Sequence, residues 1–481
     1  MNLGIVRYVI ARLLQIEALL MILPLIVSFI YAESWNYKLS FISVMVLLVV
    51  LGQLLAWKKP KSNRLTAREG LVIVALTWIL YSFFGGLPFV INGDIPSIVD
   101  AFFETSSGFT TTGSSILDNV ELLSHSSLFW RSFTHLVGGM GILVFALAVL
   151  PQIDAQSVHI MKAEVPGPTF GKLVSKISSS ARILYIIYLV MTAVLIVLLW
   201  WSGMPLFDSM LHAFGVAGTG GFGIKVGSVA PYQNPTAEWI MAIGMIVFAI
   251  NFNLYYMILI GQAKQALKSE ELRGFLLIIL AAIVLISFNL WPSYDSFSTL
   301  VRDVVFAVSS VISTSGFSTA DFGQWPLFSQ TVLLLIMFVG GSSGSTAGGL
   351  KASRVILYLK FAIAEIRKVV QPHRVLTVKF DGKPLTKESK QGLSSYFVVY
   401  MCLFFLLLLV TNLDAPDFLS GFSAVTTTLN NVGPALGQFG PAYSFASLND
   451  FTKVVLSFSM LAGRLELFPI LILFAPRTWR R

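Results

Sequence analysis

Apolar residues run along most of this chain in stretches long enough to cross about 30 Å of hydrocarbon. They fall at 9–31, 39–57, 70–91, 128–150, 183–202, 237–260, 274–291, 328–339 with a continuation to about 367, 395–412 and 452–475. Backbone polar groups inside lipid must be satisfied within the segment itself, so these stretches predict about ten transmembrane helices and an all-α polytopic membrane protein. The first stretch follows Arg7 and Arg12, is too long for a signal peptide and lacks a small-residue cleavage site, so it reads as a retained helix.

Polar segments interrupt this pattern at a repeating interval. DAFFETSSGFTTTG at 100–113 is followed by DSMLHAFGVAGTGG at 208–221, DVVFAVSSVISTSG at 303–316 and the more divergent SGFSAVTTTLNNVG at 420–433. Asp100, Asp208 and Asp303 stand at the same distance before Gly113, Gly221 and Gly316, and Ser420 takes that place before Gly433. An Asp there reads as the cap of a short pore helix, accepting from its orphan amides at the positive end of its dipole. The Ser/Thr/Gly run that follows reads as extended backbone, tolerated in a membrane only where protein buries it or water lines it. The predicted unit is helix, re-entrant segment, helix, used four times after two N-terminal spans. The boundaries are 1–65 for those spans, then 66–152, 153–268, 269–376 and 377–481. Four such segments can surround one central pore. Rings of backbone carbonyls replace the hydration shell of an alkali cation, and glycine lets them turn inward at positive φ.

Composition agrees and charge orients the chain. Apolar residues make up 56% of the 481 and charged residues 12%, which excludes a set of soluble domains. Of the 33 Lys and Arg residues, 27 lie at the N-terminus, 58–68, 162–182, 264–273, 351–390 and the C-terminus. The opposite side holds only Lys38, Arg131, Lys225, Arg302 and Lys453, so both termini are expected in the cytoplasm. The net charge of +9 is then a matter of orientation and of contact with membrane lipid or an acidic cytoplasmic partner, with no need for nucleic acid. A single cysteine, Cys402, excludes an intrachain disulfide, and its apolar neighbours mark it as a packing residue.

A second chemical feature breaks the long apolar stretch that starts at 328. The run GGSSGSTAGG at 340–349 sets Gly340, Gly341, Gly344, Gly348 and Gly349 among Ser342, Ser343, Ser345 and Thr346. Gly340, Gly344 and Gly348 have the spacing of a close-packed helix face. The hydroxyls, which lipid would not satisfy, favour an intramembrane loop across the ion path, a gate below the re-entrant segment of its own repeat. Arg464 lies midway along the last span, where an ionised side chain is costly unless it faces water or a partner. Glu466 points to another face at that spacing, so Arg464 is expected at the cavity, opposing cations until the loop moves. Gly340, Ser342 and Gly344 also match G-x-S-x-G, and Gly341, Ser343 and Gly344 match GxSG. An intramembrane serine protease is therefore a remote alternative, but it needs a base. Of the histidines, His125 is in an outer loop, His135 and His212 are in earlier repeats, and His159 and His373 are cytoplasmic. Intramembrane carboxylates that could relay protons are few: Glu17, Glu104 and Glu466.

With TTTG at 110–113, the four glycines, HLVGGMGI at 135–142, GGSSGSTAGGLK at 340–351 and GRLE at 463–466 in view, the chain resembles the Trk/Ktr/HKT superfamily of potassium transporters. It is most similar to the bacterial TrkH/TrkG branch, whose two extra N-terminal spans it shares. The resemblance covers essentially the whole length. It implies potassium uptake, with K⁺ as the transported ion and no organic cofactor on this chain, through one pore per protomer of a homodimer in the bacterial inner membrane. It also implies a selectivity filter of Thr111, Thr112 and Gly113; Thr219, Gly220 and Gly221; Thr314, Ser315 and Gly316; and Asn431, Val432 and Gly433. Serine at the first filter glycine accompanies sodium permeation in the superfamily, so glycine at all four positions favours potassium. The family's regulator is a cytoplasmic ring of TrkA-type nucleotide-binding subunits, and this chain has no GxGxxG of its own. A sodium-permeable or proton- or sodium-coupled symporter of the same superfamily is the main alternative.

Overall fold

The computed structural model describes residues 1–60, 66–141, 177–371 and 377–479. Most of the basic stretch expected at 162–182, residues 142–150 of the span expected at 128–150, and His159 and His373 lie outside the described residues. So do parts of 58–68 and 351–390 and one side or both of the repeat boundaries expected after 65, 152 and 376.

The N-terminal helices are α1 (Leu3–Leu20), α2 (Ile22–Ile30), α3 (Trp35–Ala56) and α4 (Ala67–Asn92), with α1, α3 and α4 packed on one another. A capping box between Thr66 and Glu69 opens α4, and Gly93 at φ +89 closes it. Among the described residues the further helices of eight residues or more are α5 (Ile98–Phe109), α6 (His125–Gly139), α7 (Ile177–Trp201), α8 (Leu206–Gly218), α9 (Pro235–Phe248), α10 (Phe252–Leu259), α11 (Glu270–Leu290), α12 (Phe297–Ile312), α13 (Leu327–Val339), α14 (Ala352–Val370), α15 (Lys387–Thr411), α16 (Phe418–Asn430) and α17 (Asp450–Arg464). A small antiparallel hairpin pairs Lys379–Phe380 with Lys383–Pro384. The long outer helices bury one stripe and leave the rest apolar and exposed. In α11, Phe275, Ile279, Ala282 and Ile286 are buried while Leu277, Leu280, Val284 and Phe288 are exposed, as suits a helix between protein and lipid.

Among the described residues six helices are long and apolar enough to cross a membrane, and α9 with α10, bent by 90°, would form a seventh span. The expected ten are not all continuous. The spans expected at 237–260 and 452–475 break at 249–251 and 465–467, the second at Glu466 and Leu467, both with positive φ. Together with the ends of α6 at Gly139 and α13 at Val339, four second helices stop after 13 to 15 residues. Each of the two breaks carries a polar residue, Asn251 in the first and Glu466 in the second, inside an otherwise apolar stretch. Cys402, expected to pack inward, is exposed on α15.

The short helices α5, α8, α12 and α16 sit at the centre. Each packs on the helix that follows it, and α6 also touches α8, α9 touches α12, α13 touches α16, and α17 returns to α5.

Candidate functional site

The four short helices end in one shared turn. The N–H groups of Thr111, Thr219, Thr314 and Asn431 bond back to the carbonyls of Gly108, Val216, Val311 and Thr428, at 3.1, 3.1, 3.1 and 3.4 Å. The next N–H groups, of Thr112, Gly220, Ser315 and Val432, reach Ser107, Gly215, Ser310 and Thr427 at 2.9, 2.8, 2.9 and 2.9 Å. This is the Schellman pattern. It sets Thr111, Thr219, Thr314 and Asn431 at φ +55, +56, +58 and +55, a conformation costing a non-glycine residue roughly 1–2 kcal/mol. Gly113, Gly221, Gly316 and Gly433 then continue at φ +87, +76, +82 and +109.

The turns close into a ring. A Cβ placed on Gly113 would stand 2.1 Å from the Gly220 carbonyl oxygen, on Gly221 1.7 Å from that of Ser315, on Gly316 2.3 Å from that of Val432, and on Gly433 2.7 Å from that of Thr112. The carbonyl before each glycine thus abuts the glycine of the preceding segment, in the cyclic order one to four and back. All four glycines line a single cavity of about 260 Å³, with Ser114, Asp118 and Lys225 at its wall. The hydroxyls of Thr112 and Ser315 bond to those of Thr110 and Ser313 at 2.8 and 2.9 Å. Those two hydroxyls are partnered, whereas Thr111 Oγ1 is buried without a hydrogen-bond partner.

Side chains lock the ring from behind. Asn431 donates from Nδ2 to Thr112 Oγ1 and to the Met460 carbonyl, both at 2.9 Å, and Ser114 donates to the Gly433 carbonyl at 2.8 Å. The divergent fourth segment is therefore stitched to the first. Glu104 and Arg131 form a buried ion pair at 2.6 Å, their side chains 0% and 3% exposed. Glu104 also accepts from Ser115 and the Ile116 N–H, while Arg131 donates to the Gly223 carbonyl and lies over the Phe222 ring. The pair so joins the strands leaving Gly113 and Gly221. Arg131→Leu strands a buried carboxylate and is expected to destabilise the protein by about 3–5 kcal/mol, much of it recovered in Arg131→Leu with Glu104→Gln. Thermal unfolding in detergent followed by size-exclusion chromatography measures both.

The run 340–349 is an irregular loop between α13 and α14, with Gly340, Gly344 and Gly349 at positive φ. It reaches directly beneath the ring. Gly348 donates to Thr314 Oγ1 at 2.7 Å, and a Cβ on Gly348 would be 2.3 Å from the Asn430 carbonyl. Ser342 N–H bonds the Ala249 carbonyl at 2.9 Å, Thr346 Oγ1 that of Phe248 at 3.1 Å, and Ser345 Oγ the Ser342 carbonyl at 2.6 Å. Gly341 accepts from Ala352 N–H, and the Lys351 ammonium bonds the Ala347 carbonyl. Arg464, 8% exposed, donates to the carbonyls of Thr346, Gly138 and Gly139 at 2.6 Å each. Loop and arginine are thus brought together. Glu466 turns away to pair with Arg354 at 2.6 Å. Sequence reasoning missed Glu271, which accepts from Ser343 N–H at 2.6 Å; an acidic residue in a first helical turn gave no signal beyond the ordinary dipole preference.

The aspartates are a correction. Ser97 and Asp417 cap α5 and α16, accepting from the N–H groups of Asp100 and Ser420. Asp100 sits in the first turn and pairs with Lys453 at 2.7 Å; Asp208 accepts from Tyr232 at 2.6 Å, and Asp303, well inside α12, from Tyr294 at 3.2 Å. The helices begin earlier than the Asp positions, so these carboxylates meet side chains rather than orphan amides. His212 Nδ1 lies 2.8 Å from the Asp208 carbonyl, and the ring stacks on Phe317. Ser343 Oγ pairs with Ser353. Neither His135 nor His212 has a hydrogen bond to a serine of the loop.

A family model described as "TrkH: Cation transport protein" matches residues 38–481. The chain is 36% identical over 467 residues to the Trk system potassium uptake protein TrkH of Salmonella typhimurium, covering 96% of each. It is 33% identical over 483 residues to the Trk system potassium uptake protein TrkG of Escherichia coli, covering 99% of this chain and 98% of that one. The crystal structure of the potassium transporter TrkH from Vibrio parahaemolyticus superposes with a TM-score of 0.90 at 32% identity, covering 100% of both chains.

Proposed function

The chain belongs to the TrkH family of cation transport proteins, and from that premise we propose that it takes up potassium through a channel-like pore. It is a multi-pass membrane protein and not an enzyme. In this reading two N-terminal spans (1–65) precede four helix, pore-loop, helix repeats (66–152, 153–268, 269–376 and 377–481), and the broken second helices cross as half-spans to give ten crossings. The observation that carries the proposal is the closed ring of Gly113, Gly221, Gly316 and Gly433, each backed by a neighbouring carbonyl. Those carbonyls, with Thr111, Thr112, Thr219, Gly220, Thr314, Ser315, Asn431 and Val432, form the filter. They replace the hydration shell of K⁺ at fixed spacing, and the C-terminal ends of α5, α8, α12 and α16 add negative potential at the same place.

Below the filter, the loop holding Gly340, Gly341, Ser342, Ser343, Gly344, Ser345, Thr346, Gly348 and Gly349 is the gate, and Arg464 latches it. The reading is completed by a homodimer in the bacterial inner membrane with cytoplasmic termini, controlled by a TrkA-type nucleotide-binding subunit acting on the basic segment after the gate. Two observations support a partner there: the relatives are named as parts of a Trk system, and α14 leaves Leu359, Ile363, Ile366, Val369 and Val370 exposed.

Reversal potentials in mixed K⁺ and Na⁺ gradients at two pH values test the function. A potential that follows K⁺ and ignores pH is the expected result. One that follows Na⁺, or shifts with pH, replaces this reading with a sodium-permeable or proton-coupled transporter.

A further inference from the structure

Four helices, α6, α9, α13 and α17, form the wall behind the filter strands. At the same offset from their N-caps, Ser124, Asn234, Pro326 and Asn449, they place His135, Met245, Met337 and Met460. All four side chains are completely buried. Three repeats fill this position with a flexible apolar side chain that need only supply volume. The first uses an imidazole, whose two nitrogens must find partners or carry a desolvation cost.

Both nitrogens find them. Nδ1 lies 2.8 Å from the Gly108 carbonyl oxygen in α5, and the backbone N–H of Phe222 reaches Nε2 at 3.3 Å. A carbonyl can only accept, so the proton sits on Nδ1 and the bare Nε2 accepts from Phe222. One ring therefore ties the last turn of the first pore helix to the residue after Gly221. One helical turn earlier, on the same face, Arg131 holds the Gly223 carbonyl at 2.8 Å.

The second strand has a particular need for this support. At the position before the filter glycine the strands carry Thr112, Gly220, Ser315 and Val432, so only the second lacks a side chain. Thr112 and Ser315 are anchored by their hydroxyls, and Val432 is stiff because it is β-branched. Gly220 has neither restraint. The imidazole occupies the missing volume: a Cβ on Gly220 would stand 2.3 Å from His135 Cγ and Nδ1.

We propose that His135 is a positioning residue for ion selectivity, holding Gly220 and Gly221 at the spacing that K⁺ requires in place of a side chain on the strand itself. This rests on the filter reading given above. The test is His135→Met in the full-length protein, which installs the residue the other three repeats use there and removes both hydrogen bonds. In proteoliposomes this variant is expected to conduct Rb⁺ while its Na⁺-to-K⁺ permeability ratio, from bi-ionic potentials, rises about two- to tenfold, the range that loss of such a bond represents. Conduction with a wild-type ratio overturns the proposal and leaves His135 a packing residue. Should His135→Met not assemble, His135→Gln is read in the same way. Independently of any variant, ¹⁵N shifts of the imidazole in histidine-labelled wild-type protein report the tautomer, and a proton on Nε2 of His135 also overturns it. Gly221→Ala separates the two levels of the argument. If that variant conducts like wild type, the filter reading itself falls, whereas if it is silent and His135→Met keeps the wild-type ratio, only the role of His135 falls.

Discussion

Gly221→Ala is expected to abolish K⁺ flux while the protein still assembles in the membrane. The added Cβ would lie 1.7 Å from the Ser315 carbonyl oxygen, 2.8 Å from its carbon and 3.0 Å from the Gly316 carbon. All three are backbone atoms, so no side-chain rotation relieves the contact, and φ +76 is itself a conformation that alanine resists. The third strand must retreat, and its retreat disturbs Val432 and Thr112 around the ring. A displacement of about 1 Å at a site that must match an ion's coordination shell costs on the order of 100-fold in throughput. Rubidium uptake into proteoliposomes measures it, and uptake within about threefold of wild type, well short of that 100-fold loss, would show that the ring is not the conduction path. Gly93→Ala is the matched control. Gly93 also has a positive φ, +89, but nothing lies within 4 Å of its Cβ position. It should cost about 1 kcal/mol of stability and leave flux intact.

The sequence made the ring partly legible because each strand carries its own local signal: a short helix-compatible stretch ending in a Gly at a fixed place, with Ser or Thr just before it in the first three. The spacing of Asp100, Asp208 and Asp303 located the copies correctly for the wrong reason, since those residues do not cap the helices. Ser97 and Asp417 do, and both lie just upstream of the aligned window. Closure of the ring could not be read in advance. It consists of contacts such as Gly433 against Thr112, between segments more than three hundred positions apart and carried by backbone with no residue code of its own. The breaks at 249–251 and 465–467 were hidden for a related reason. Ala249 and Ile250 read as ordinary span residues; at the turn Asn251 caps α10, and the loop that arrives from the third repeat takes the Ala249 carbonyl through Ser342 N–H. The irregular loop at 340–349 was visible in outline, because five glycines and four hydroxyl residues break an apolar stretch there. Its anchors at Glu271 and at the Gly138 and Gly139 carbonyls were not.

Arg464→Ala is expected to raise rubidium flux through the protein without its regulator by about tenfold or more. The guanidinium fork donates to three carbonyls at once, Thr346 in the loop and Gly138 and Gly139 at the end of α6, each at 2.6 Å. It thereby ties the loop to the end of α6 and, in the function proposed above, places a positive charge where a cation leaving the filter must pass. Hydrogen bonds from a charged donor contribute about 1.5–3 kcal/mol each, and about 1.4 kcal/mol shifts a two-state equilibrium tenfold. Loss of the single bond to Thr346 thus suffices for the effect, before any gain from removing the charge. Arg464→Lys should fall between, because a point ammonium cannot span three acceptors that a planar fork fits. Deleting 342–347 removes the obstruction along with the Thr346 carbonyl that Arg464 holds and should open the pore at least as far. The deletion also separates gating from misfolding: a destabilised but closed protein loses flux, whereas an unlatched one gains it. Flux unchanged in both Arg464→Ala and the deletion would mean that the closed constriction lies elsewhere, and that Arg464 only fills the carbonyls left open where α6 ends.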